Sequence, residues 1–88
     1  MINEMLGIGV ENATASSELA RRLNVDLRVI RQLVRKERLE GVQICSNGKG
    51  YFMPEDIADV NRTINTLYKR AREERAVAEA MRKTRDKG

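Results

Sequence analysis

Arg28, Arg31, Gln32 and Arg35 recur at three- and four-residue spacing through LRVIRQLVRKER. On a helix that spacing gathers them on one face. A guanidinium is a flat fork of N–H donors that pairs bidentately with a phosphate or with the O6/N7 edge of guanine, and a glutamine amide does the same for adenine. Such a face recognises a polyanion and makes or breaks no bonds. Other chemistry is thinly supplied. There is no histidine and only one cysteine, Cys45, so nucleophile–base pairs and zinc ligand sets are missing and no internal disulfide can form. The carboxylates of Glu55, Asp56 and Asp59 fall at an expected helix start, where complementing the helix dipole accounts for them. The expectation is no catalytic residue, no metal, no cofactor and no small-molecule ligand.

Charge distribution points the same way. The chain has 88 residues and a net charge of +4. Residues 21–49 hold eight basic and three acidic side chains, a local +5, against −3 for residues 1–20 and +2 for residues 50–88. A basic balance concentrated in one third of a small chain is the electrostatic footprint expected of a polyanion binder. No apolar run has the length of a signal peptide or membrane span, which with the lone cysteine fits a reducing cytoplasm and no membrane partner.

Two helices joined by a tight turn must carry the arginine face. Ser16 is suited to cap the first, in which Leu19, Ala20 and Leu23 share a side. Asn24 tolerates the left-handed conformation that ends helices, Val25 can turn inward, and Asp26 can cap the second helix. There Ile30, Leu33 and Val34 form the buried side, and Gly41 ends the run. Glu37 stands where the period calls for an apolar residue, and Leu39 stands where solvent is expected. Ser16, Ser17 and Arg21 on the first helix are candidate phosphate anchors.

VQICSNGKGYFMP has the pattern of a hairpin, with Asn47-Gly48 and Gly50 as turn residues and Lys49 at the tip. Val42, Ile44, Tyr51 and Met53 should cover the helices, leaving Gln43, Cys45 and Phe52 outward unless another element packs on them. Ala13–Ala15 can run extended beside this hairpin. Residues 1–12, broken by Gly7 and Gly9, allow one short helix at most. Pro54 suits the first position of a last helix over 55–83, about 44 Å long at ~1.5 Å per residue. Its apolar stripe (Ile57, Val60, Ile64, Leu67, Ala71, Ala78, Met81, interrupted by Glu74) is longer than so small a domain can cover, which suggests a homodimer seam.

SSELARRLNVDLRVIRQLVRKERLEGVQI together with NGKGYFM resembles the winged helix-turn-helix of biotin-repressor type, over residues 13–53. GIGVENATASSELA and the charged tail look like small phage and prophage DNA-binding proteins of Gram-positive bacteria. Two departures stand out: the full first helix of such domains is short or missing, and Glu37 replaces an apolar residue. The resemblance implies a mainly α fold with a β-hairpin wing, a DNA-binding domain over 1–54 and a dimerisation helix with a basic tail over 55–88. It implies a transcriptional regulator that reads double-stranded DNA with helix 27–38 and touches the backbone with wing 42–53, Lys49 included. A phage replication or assembly adaptor, binding protein or an origin non-specifically, is the alternative.

Overall fold

The computed structural model describes residues 1–87 and is mainly helical, with one small antiparallel hairpin. Helices α1 (Ser16–Leu23) and α2 (Leu27–Leu39) precede strands β1 (Cys45–Asn47) and β2 (Gly50–Phe52), and α3 (Ile57–Lys87) ends the chain. Two short 3-10 turns, Ile2–Met5 and Val10–Asn12, take the place of a first helix.

The α1–α2 turn forms largely as its residues dictate. Asn24 is left-handed (φ 54°, ψ 51°), and Val25 N–H donates to the Ala20 carbonyl at 3.0 Å. Val25 itself stays at the edge of the core, 36% exposed, instead of filling it. Ser16 is not the cap: Ala15 holds that position and Ser16 is the first helical residue. Asp26 does occupy the N-cap of α2, without a side-chain hydrogen bond. Gly41 ends α2 at φ 100°, a conformation glycine adopts without steric cost.

The hairpin is a layer between two apolar clusters. On one side Ile2, Leu6, Leu19, Ala20, Ile30, Val34 and Ile44 form the main core, with Val42, Tyr51 and Met53 packed against it. On the other, Cys45 and Phe52 are covered by Val60 of α3, with Ala13 beside them. The outward face of the hairpin is therefore buried by the last helix, and Ser46 N–H donates to Thr63 Oγ1 at 3.2 Å to hold the two together. Burial pushes the Cys45 thiol pKa up, away from the thiolate.

The N-terminal segment covers the free edge of β2. Thr14 and Tyr51 exchange backbone bonds of 2.8 and 2.9 Å, and Met53 bonds to Gly7 and Gly9 at 2.8 and 2.9 Å. Gly50 permits the approach, since a Cβ there would lie 2.1 Å from the Thr14 carbonyl oxygen. The turn itself is Gly48–Lys49 and not Asn47-Gly48; Asn47 instead accepts the Lys49 and Gly50 N–H groups on its side chain (2.8 and 3.1 Å).

Glu37 is 4% exposed, and its carboxylate accepts the N–H groups of Ile2 (2.8 Å) and Asn3 (3.1 Å). The charge that breaks the apolar period of α2 is the acceptor for the first turn of the chain, and it holds Ile2 in the core.

Pro54 lies three residues before α3, which starts at Ile57. Asp56 accepts the Asp59 N–H (3.2 Å), and Asp59 accepts the Glu55 N–H (2.9 Å), so two carboxylates take up backbone donors at the helix start. Asp59 is also paired with Arg62. The Glu55 N–H first, and the Arg62 guanidinium with it, hold the Asp59 carboxyl below its ordinary range despite burial. Beyond Thr63 every described residue of α3 is exposed, so the helix, ~46 Å long at about 1.5 Å per residue, leaves the domain after two turns. No helix among the described residues is long and apolar enough to cross a membrane.

Candidate nucleic-acid interface

Burial of Ile30, Val34 and Glu37 fixes the roll of α2 and turns Arg28, Arg31, Gln32 and Arg35 outward, all four exposed. None of the three arginines forms an ion pair among the described residues. They remain free for an external anion. Two carboxylates of the helix pair are engaged elsewhere: Glu37 in the core and Glu18 on α1.

Arg31 also lines a cleft of about 460 Å³ bounded by the start of α1, the hairpin and α3. Ser16, Arg38, Lys49, Tyr51 and Arg70 line it as well, and no acidic side chain does. Of the residues expected from the sequence, Ser16, Arg31 and Lys49 are thus brought together in one concavity, and Arg28, Gln32 and Arg35 continue the basic surface along α2. Ser17 is exposed on α1, outside the cleft. Arg21 is exposed but committed to Glu18, at 2.5 Å, where Arg22 joins it at 3.0 Å. The two arginines hold the Glu18 carboxyl below its usual pKa, and Glu18 in turn raises that of Arg21.

Arg38 and Arg70 were not among the sequence-derived candidates. Arg38 continues the stripe at i+3 from Arg35, a periodicity that could have found it. Its Nε donates to the Ile44 carbonyl (2.9 Å), its Nη2 donates to Ser46 Oγ (3.2 Å), and its guanidinium carbon lies 5.9 Å from the Tyr51 ring centroid. Half-buried, Arg38 has its pKa pushed down chiefly by desolvation, with the Arg70 charge adding in the same direction. Arg70 lies 32 residues from Arg38 in sequence, and no local pattern relates the two.

The proposed dimer residues divide. Val60 is consumed inside the chain against Cys45 and Phe52. Ile64 and Leu67 line a small apolar groove with Val42, Ile44 and Cys45 and are each 41% exposed. Ile57 and Met81 are 71% and 68% exposed, and Ala71 and Ala78 are also open. Among the described residues no group of three metal-ligating side chains comes together. Comparison with protein-family models, curated proteins and solved structures finds no match for this chain.

Proposed function

We propose that this chain is a sequence-specific DNA-binding regulator of winged helix-turn-helix type, of the kind found in phages and prophages. It reads the major groove with α2 and touches the backbone with the hairpin. The observation that carries the reading is the exposed row of Arg28, Arg31, Gln32 and Arg35, which has no acidic partner among the described residues and runs into a cleft lined by four basic side chains and no acid. Arginine donates to the O6 and N7 of guanine, and glutamine donates to N7 and accepts from the N6 amino group of adenine. Dimerisation along the free part of α3 would present two such modules to paired half-sites.

The test is duplex binding across a salt series. Affinity should fall steeply with salt, with a log–log slope of several units. Arg31→Ala and Arg35→Ala should each lose about 1–3 kcal/mol if the residue reads a base, or weaken all sequences alike if it holds a phosphate. Both should melt as wild type does, because both are exposed. No detectable duplex binding at low salt would refute the reading. In that event the exposed Leu67, Val77 and Met81 of α3 favour a second one, a replication or assembly adaptor that binds a protein partner along this helix.

A further inference from the structure

The basic cleft contains a feature that reading α2 alone leaves unexplained. Arg38 is half-buried, and among the described residues it has no carboxylate partner. A charge withdrawn from water is ordinarily paired, because its lost hydration is otherwise uncompensated. The charged side chains that line the concavity with it are all of like sign: Arg31, Lys49 and Arg70. Of the five N–H groups of Arg38, one is used on the Ile44 carbonyl and one on Ser46 Oγ, which fixes the plane of the guanidinium and leaves three donors unused.

Arg70 is held in place from the other side. Thr63 and Val60 dock α3 on the hairpin, and Arg70 follows Thr63 by seven residues, two turns along the same side of the helix. The Arg70 side chain makes no hydrogen bond or ion pair among the described residues, so docking α3 adds a free cation to the lining of the cleft.

We propose that Arg38 and Arg70, with Arg31 and Lys49, clasp adjacent phosphates of a DNA backbone strand between the hairpin and α3, so that the C-terminal helix is part of the DNA-contacting surface and not only the proposed dimer seam. This rests on the DNA-binding reading and extends it to an element that reading assigns only to assembly. The anion supplies the missing counter-charge, and the preset Arg38 fork supplies the geometry. Phosphate contacts of this kind fix register on the duplex and carry no sequence information.

Arg70→Gln tests it against Arg72→Gln, which removes the same charge from α3 at a residue that does not line the cleft. Both variants are measured in the full chain on one duplex across a salt series. Arg70→Gln should reduce the magnitude of the log–log salt slope by about one unit and affinity about fivefold at 0.15 M salt, the value of one phosphate contact at ~0.9 units per decade. Arg72→Gln should keep the wild-type slope. Equal behaviour of the two variants, while wild type binds, overturns the clasp and leaves the DNA-binding reading standing. Failure of wild type to bind duplex overturns both. Tight binding of inorganic phosphate alone at constant ionic strength, abolished by Arg70→Gln, would assign the site to a free anion and overturn the assignment to DNA.

Discussion

Glu37→Gln isolates what the buried carboxylate does. The two side chains are nearly the same size, so packing is preserved and only the acceptor pattern changes. The carboxylate takes two backbone N–H groups, one buried at Ile2 and one part-buried at Asn3. The amide offers one oxygen and turns its NH₂ toward the other donor. One N–H is then left unpaired, at about 1–3 kcal/mol, and the surviving bond loses its charge assistance, worth roughly 1 kcal/mol more. The expected loss is about 2–4 kcal/mol. At about 4–8 °C per kcal/mol for a chain of this size, the melting temperature should fall by at least ~8 °C. Circular dichroism melts measure it, with Glu40→Gln as the exposed control expected within about 0.5 kcal/mol of wild type. Hydrogen exchange at the Ile2 and Asn3 amides should accelerate in Glu37→Gln alone. Duplex affinity well below the melt should not change, because the arginine face lies on the other side of α2. If the two variants melt together, the carboxylate is not what anchors the N-terminal turn, and the account of Glu37 is wrong.

Gly50→Ala forces a Cβ against the Thr14 carbonyl and should cost about 1–3 kcal/mol through loss of the two Thr14–Tyr51 backbone bonds, whereas Gly48→Ala, with open space around it, should melt close to wild type. For assembly, sedimentation should give a dimer for the full chain and a monomer for Met81→Glu, whose side chain is exposed and remote from the core. A monomeric wild type, or a dimer that survives Met81→Glu, would remove α3 from the interface.

Local chemistry was enough to place much of this structure. The 3- and 4-residue spacing of Leu19, Ala20, Ile30, Leu33 and Val34 determines both helices and which sides they bury, and therefore which way Arg28, Arg31, Gln32 and Arg35 point. Asn24 and Gly41 end those helices because they accept backbone conformations other residues resist. Alternation in VQIC and YFM likewise separates the two faces of the hairpin. Such features depend on neighbours within a few residues, so the linear chain displays them. Caps are less legible: the real N-cap of α1 is Ala15, one residue before Ser16, and α3 starts three residues after Pro54, since several nearby residues can serve and packing selects among them.

Other features required the folded chain. Glu37 looked out of place because its partners, the amides of Ile2 and Asn3, are more than thirty residues away. Alternation alone leaves Phe52 and Cys45 facing outward; α3 crosses over them, and the same crossing removes Val60 from the exposed apolar stripe of that helix. Arg38 and Arg70 share a cleft only because Thr63 fixes α3 to Ser46. Periodicity records which side of a helix is apolar. Which distant element meets that side, and which charges the meeting brings together, is decided by the packing of the whole chain.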